Sequence, residues 1–185
     1  MIIIGITGTI ASGKGATVAC LKEKGFEHYS ARDFLFEEIT KRGLSLNRDT
    51  TAMVANDLRA KHGSGYIIES LFNRAAKSGK NAVIESVRSL GEVAFLKQQE
   101  HFFLIAVDAE PKIRYNRAVA RGSELDHVTF EVFSAQENRE LESTDINKQN
   151  LRGCIAQADF TILNNGTLDD LQNEVEKILL KIMPE

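Results

Sequence analysis

The sequence holds two cysteines, two prolines and no surplus of positive charge. Cys20 and Cys154 are too few for the disulfide framework that staples small secreted domains. Each lies among apolar residues in a helix-like stretch, which reads as a buried free thiol in a reducing, cytoplasmic compartment. A net charge of −3 leaves no broad basic footprint for nucleic acid. No apolar run approaches the ~20 residues that cross a bilayer, so no membrane contact is expected. The opening Met1-Ile2-Ile3-Ile4 is too short for the core of a signal peptide. No Pro- or Ser-rich linker, low-complexity tract or internal repeat interrupts the 185 residues, and the four histidines lack metal-ligand spacing. What remains is a composition of 43% hydrophobic and 26% charged residues, that of a globular chain able to fold without staples. A single domain over residues 1–185 is expected.

The most informative stretch is the first. Ile2 to Ile6 is apolar and β-branched, the pattern of a buried strand. A glycine-rich turn from Gly8 to Gly13 follows, then Lys14 and a helix-compatible run through Leu21. Strand, Gly8-x-x-x-x-Gly13-Lys14 loop and helix, in that order, form a phosphate-cradling loop. Glycines let successive N–H groups turn inward with no Cβ in the way. The helix start adds unpaired N–H donors and partial positive charge. Lys14 adds an ammonium that follows the β- and γ-phosphates. The reading assigns nucleotide binding to Gly8, Thr9, Ile10, Ala11, Ser12, Gly13, Lys14, Gly15 and Ala16. The position after the lysine, often Ser or Thr as a Mg²⁺ ligand, is Gly15. Mg²⁺ is therefore expected to sit mainly among phosphate oxygens and water, with direct ligation by Thr17 the less favoured option.

Further strands are expected at Phe26–Tyr29, Asn81–Ser86, Phe102–Asp108 and Phe160–Asn164, alternating with helices. Such alternation means a parallel sheet of about five strands covered on both faces, with ligands bound beyond the carboxyl ends of its strands. After the second strand come Ser30, Arg32 and Asp33. Asp33 could accept a proton, hold Mg²⁺ through water or bind an acceptor hydroxyl; an acid in a first helical turn also has a purely electrostatic use. After the third strand come Glu85, placed to hold Mg²⁺-bound water, and Arg88, able to fork onto a phosphate; a surface pair between the two is the plainer alternative. Arg59 follows a helical apolar face and points toward an acceptor or lies solvated. Arg114, Arg117 and Arg121 share one helical face at spacings of three and four. That stripe suits a lid closing on phosphates or pairing with Glu110, Glu124 or Asp126. Arg117 and Arg121 are favoured for the lid and Arg114 is left open. Asn164-Asn165-Gly166 meets a nucleobase or simply turns the chain.

These segments together resemble the P-loop kinases of small molecules, in the branch of nucleoside monophosphate kinases and dephospho-CoA kinase. Gly8–Gly15 matches their loop, with Gly after Lys as in adenylate-kinase-type loops. Tyr29-Ser30-Ala31-Arg32-Asp33 is similar to their acceptor-side segment. Glu85-Ser86-Val87-Arg88 resembles an Asp-Gly-x-x-Arg segment with Glu for Asp and Ser for Gly. Ala158 to Gly166 is similar to the last strand of dephospho-CoA kinases, but Val132 replaces the arginine those enzymes carry before the lid Gln136. The chain is also similar to kinase-like domains joined to deoxycytidylate deaminases.

The resemblance implies a three-layer α/β P-loop NTPase fold with a helical acceptor-binding insert at about 31–80 and a lid at about 117–150. It implies ATP and Mg²⁺ as cofactors and Lys14, Asp33, Arg88, Arg117 and Arg121 as the catalytic set. Ser30, Arg32, Asp33, Arg59, Glu85 and Arg88 would bind the acceptor, Asn164 and Gly166 the base, and Glu85 and Asp33 the metal through water. The expected partner is a small-molecule nucleotide, to a monomer or homodimer. A monophosphate acceptor is favoured over dephospho-CoA, because Arg59 and Arg88 suit a phosphate. Other classes fit less well. Asn147-Lys148-Gln149-Asn150 lacks the acid of a guanine-binding motif, Gly13-x-Gly15-x-x-Val18 fails as a dinucleotide fingerprint, and two distant cysteines cannot build a zinc deaminase. A nucleotide sensor without turnover is the remaining rival.

Overall fold

The computed structural model describes residues 1–122, 129–141 and 149–183. Five strands form one sheet: β1 (Ile3–Gly8), β2 (Glu27–Ser30), β3 (Ala82–Glu85), β4 (Phe102–Asp108) and β5 (Phe160–Leu163). Their spatial order is β2-β3-β1-β4-β5, and every pairing is parallel. The first strand to form in sequence is thus the central one. Its side chains alternate between two cores. Ile3 points to one with Ala82, Ile84 and Leu104. Ile4 and Ile6 point to the other with Val83, Ile105 and Val107.

Helices cover both faces, as in any parallel sheet. On the Ile4/Ile6 face lie α1 (Lys14–Glu23) and α9 (Leu168–Ile182), which brings Leu171, Val175, Ile178 and Ile182 to the core. On the Ile3 face lie α2 (Ala31–Lys41), α3 (Arg48–His62), α4 (Tyr66–Ser78), α5 (Leu90–Leu96) and α8 (Leu151–Ala156). Helices α2, α3 and α4 all lie between β2 and β3 in the chain. Each entry is fixed locally: Ser30 caps α2, Asn47 caps α3, and Ser89 with Glu92 forms a capping box on α5. Pro111 starts α6 (Pro111–Arg121). The region expected to form the lid contains α7 (Phe130–Leu141), where Phe133 is buried. Residues 123–128 and 142–148 of the expected lid, with Glu124 and Asp126, fall outside the described residues. No described helix is long and apolar enough to cross a membrane.

Both thiols are buried and free. Cys154 is fully enclosed on α8. Burial first, then the Glu92 carboxylate, pushes its thiol up to about 12, with the Thr7 hydroxyl opposing. An unfolded thiol ionises near pH ~8.5. Between those values the unfolded chain releases a proton that the folded chain keeps, so stability falls as pH rises, by about 1.4 kcal/mol per pH unit. Urea titrations should show the wild type losing about 2–3 kcal/mol more than Cys154→Ala between pH 8 and 10.5. Parallel slopes for the two proteins would contradict this assignment.

Candidate active site

The carboxyl ends of β1, β3, β4 and β5 converge on the phosphate loop. Gly8 ends β1 at φ +137° and Gly13 precedes α1 at φ +108°. Both glycines are required by close packing. A Cβ on Gly8 would lie 1.9 Å from the Val107 carbonyl oxygen, and one on Gly13 would lie 2.1 Å from Asn164 Nδ2. Gly13 is the N-cap of α1 and no side chain caps that helix. A helix start without a side-chain cap is an arrangement that suits an anion. Lys14 Nζ donates to the carbonyls of Gly8 at 2.9 Å and Thr9 at 2.6 Å, which holds the ammonium over the loop. Thr17 is buried and its hydroxyl donates to Gly13 O. Gly15 is exposed with open space where a Cβ would stand, and Ala16 is half-buried.

Neighbouring strands brace this loop. Thr9 Oγ1 donates to Asp108 Oδ1 at 2.6 Å, at the end of β4. Asn164, 7% exposed, donates through Nδ2 to Ser12 O at 2.8 Å, so its amide props the loop from below. Ile10 and Ala11 are half-buried at the loop's tip, where Ala11 takes a positive φ of 55°.

At the end of β3, Glu85 accepts a hydrogen bond from His28 on β2, Nε2 to Oε2, at 3.0 Å. That bond first, then the charges of His28, Lys14 and Arg32, holds the Glu85 carboxyl below its ordinary range against the opposing effect of burial. Glu85 thus pairs across the sheet with His28, and not with Arg88. Ser86 follows at φ 72°, the left-handed conformation that glycine adopts without cost. Its N–H and that of Val87 both reach the Ile6 carbonyl.

Arg88 sits on the emerging loop, half-buried, with Nη1 donating to Gln149 at 3.4 Å. Its backbone N–H and that of Ser89 donate to Glu92 Oε2, at 2.7 and 3.1 Å. The other Glu92 oxygen accepts from Arg59 Nη2 at 3.4 Å. Arg59 is 9% exposed and Glu92 1% exposed, so the insert arginine is neither solvated nor loose. Burial raises the Glu92 carboxyl above its ordinary range, opposed by Arg59 and the two N–H donors. One buried carboxylate therefore ties α3 to the segment that carries Arg88. On α2, Ser30 is spent on capping Asp33 N–H, while Arg32 and Asp33 are exposed beside the sheet end.

The arginine stripe of α6 divides. Arg114 is 4% exposed; it donates to Ala109 O at 2.7 Å and to Glu137 of α7, and lies 3.6 Å from Asp108. Arg117 donates to the carbonyls of Asn164 at 2.8 Å and Gly166 at 3.4 Å, so it clamps the turn after β5. Arg121 is exposed near the end of α6.

Residues 4–145 match the family described as AAA domain. The chain is also 32% identical to the UPF0200 protein TK1334 of Thermococcus kodakarensis, over 99% of this chain and 98% of that one. The chain belongs to the AAA-domain family and to the UPF0200 proteins. This AAA-domain fold is shared with a shikimate kinase from Bacteroides thetaiotaomicron, at 12% identity, TM-score 0.59 and 98% of each chain. It is shared too with a dephospho-CoA kinase from Campylobacter jejuni, at 17% identity, TM-score 0.54, 97% of this chain and 96% of that one. At such identities the likeness is one of fold, that of the P-loop small-molecule kinases.

Three residues that brace these segments are absent from the sequence reading of the site. His28 looked like any strand histidine, because its partner lies 57 residues away. Asp108 was noticed as a strand end, without its hold on Thr9. Glu92 carried a legible signal: Ser89-x-x-Glu92 is a capping-box pattern, although its reach to Arg59 required the folded insert.

Proposed function

We propose that this protein is a phosphotransferase that moves the γ-phosphoryl group of ATP to a nucleoside or deoxynucleoside monophosphate. The observation that carries the reading is the uncapped start of α1 with Lys14 above it, flanked by Glu85 and the Arg88 segment at the end of the adjacent strand. The donors present fit a polyphosphate: the amides of a helix start that no side chain caps, a lysine ammonium and room above Gly15. They fit Mg²⁺ more loosely, through Glu85 and water, since Mg²⁺ keeps much of its hydration. Bound at Glu85, the metal would neutralise charge on the phosphate oxygens.

The protein's own part is positioning and charge. The α1 amides and Lys14 hold the β- and γ-phosphates, and Arg88 supplies a permanent, forked charge to the phosphate that receives the transferred group. A monophosphate acceptor brings an oxygen that is already anionic, so no general base is required of the protein. Thr9 and Asn164 keep the loop in shape while this charge moves. Arg117 and the 164–166 turn form the side on which the nucleobase of ATP would rest.

Mass spectrometry of ATP incubated with a panel of nucleoside and deoxynucleoside monophosphates, and with dephospho-CoA, tests the reading. ADP formed together with a diphosphate product supports it. Transfer only to dephospho-CoA would make Asp33 the base for a ribose hydroxyl and overturn the monophosphate assignment. ATP binding without ADP from any acceptor would make the protein a sensor.

A further inference from the structure

We infer that His28 is a positioning residue for Glu85: its imidazole fixes one carboxylate oxygen so that the other is presented to the hydrated cation that accompanies a nucleoside triphosphate. The inference rests on the phosphate-site reading given above and adds to it a residue outside the phosphate loop.

The argument begins with chain length. A glutamate at the end of a strand carries one more methylene, and one more rotatable bond, than an aspartate in the same place. Its carboxylate reaches further and is correspondingly less well aimed. Water-mediated contact with a cation demands aim, since both the water and the ion have to meet the acid at once. Something must hold the longer side chain.

The sheet supplies it. β2 and β3 run parallel with His28 level with Val83 and Ser30 level with Glu85. Side chains two apart on one strand share a face, so His28, Val83 and Glu85 all stand on the face that packs against α1, where Val83 joins the core with Ile4 and Ile6. His28 is diagonal to Glu85, and its ring spans the gap to place Nε2 3.0 Å from Oε2. Both side chains are about one-quarter exposed, 24% and 25%. The pair is therefore neither sealed in the core nor loose on the surface. Among the described residues Oε1 takes no hydrogen bond, while Lys14 of α1 and Arg32 of α2 lie close enough to act on the carboxylate by charge. One oxygen is anchored sideways along the sheet, and the other remains at the sheet's carboxyl end beside the lysine that grips phosphate.

A merely structural histidine would matter to folding and to nothing else, so the test uses metal dependence. Calorimetry would measure ATP affinity with Mg²⁺ and with EDTA for wild type, His28→Ala, His28→Gln, Glu85→Gln and the double variant His28→Ala/Glu85→Gln. Glutamine keeps an N–H donor at about the reach of Nε2. Wild type is expected to bind Mg·ATP more tightly than free ATP. His28→Ala should lose about 5–10-fold of that Mg²⁺-dependent gain with its EDTA affinity unchanged, as loss of a hydrogen bond of ~1 kcal/mol implies. His28→Gln should recover most of it. The double variant should be no worse than Glu85→Gln alone, because the two residues act as one unit. Equal Mg²⁺-dependent gains in wild type and His28→Ala would overturn the inference, as would additive losses in the double variant or an unrescued loss of EDTA affinity in both His28 variants. Wild type that binds no ATP in either condition overturns the phosphate-site reading, and this inference with it. Wild type that binds with a Mg²⁺ gain which His28→Ala retains overturns this inference alone.

Discussion

Lys14→Ala is expected to lower kcat/KM for ATP-dependent transfer by about 10²–10³-fold while the protein stays folded, which is the scale for deleting one preorganised donor from a developing charge. The size follows from where the ammonium is held. Nζ lies within hydrogen-bond reach of the Gly8 and Thr9 carbonyls, so it sits over the loop and does not swing in bulk water. Preorganised charge of this kind costs no reorganisation when the phosphoryl group moves. The stability cost should be small, about 1 kcal/mol, because the bonds that are lost are only part-buried and neutral carbonyls accept them. Lys14→Arg should not rescue: a planar fork cannot occupy the place of a compact ammonium between two carbonyls 2.9 and 2.6 Å away. Steady-state kinetics with thermal denaturation of the same samples checks both halves. A loss of activity under threefold in Lys14→Ala would remove the lysine from the transfer step.

The sheet was legible because its strands follow one rule. β4 matches the expected Phe102–Asp108 to the residue, since a strand buried on both faces writes an unbroken apolar run. β1 runs on to Gly8, past the expected end at Ile6. Thr7 is a good strand former, and Gly8, a poor one, is kept in the ladder by its pairing with Val107. Helix α7 hid for a different reason. The face it buries carries Glu137 as well as Phe133, and Glu137 is inside because Arg114 of α6 meets it there. A buried charge breaks the apolar period that marks a helix.

The site divides along the same line. Residues read from local chemistry, such as Gly8, Gly13 and Lys14, lie together between the end of β1 and the start of α1. Residues whose role depends on a distant partner did not announce it. The sequence leaves Arg59 between an acceptor and solvent, and only the fold sets Glu92, 33 residues on, within reach of it. Asn164 reads in sequence as a base contact or a turn, and its side-chain hold on Ser12 O is a third use that only the fold shows. Arg117 is described by its hold on two carbonyls of the 164–166 turn, a contact that no helical spacing contains.

Gly8→Ala should be the most damaging single change in the phosphate loop, lowering stability by about 3 kcal/mol or more; at ~2–4 °C per kcal/mol for a chain of this size, Tm falls by about 6–12 °C. Two penalties add. A side chain at φ +137° is strained whatever the space around it. The new Cβ would also stand 1.9 Å from Val107 O and 2.9 Å from Val107 C. These are backbone atoms of β4, in register with Gly8 itself, so no rotamer change can relieve the overlap. Either β4 moves away from β1 and weakens the centre of the sheet, or the loop leaves Asp108 and loses the Thr9 bond that shapes it. Gly15→Ala is the control. Nothing lies within 4 Å of its Cβ position, and it stands in the first turn of α1. Helix propensity alone then applies, and the change should be neutral or stabilising by up to about 1 kcal/mol. Thermal unfolding of the two variants beside wild type decides between two reasons for a glycine. If both cost the same, the overlap with Val107 is not what the first glycine avoids; if only Gly8→Ala collapses, the first glycine is there because strand β4 leaves no room for anything larger.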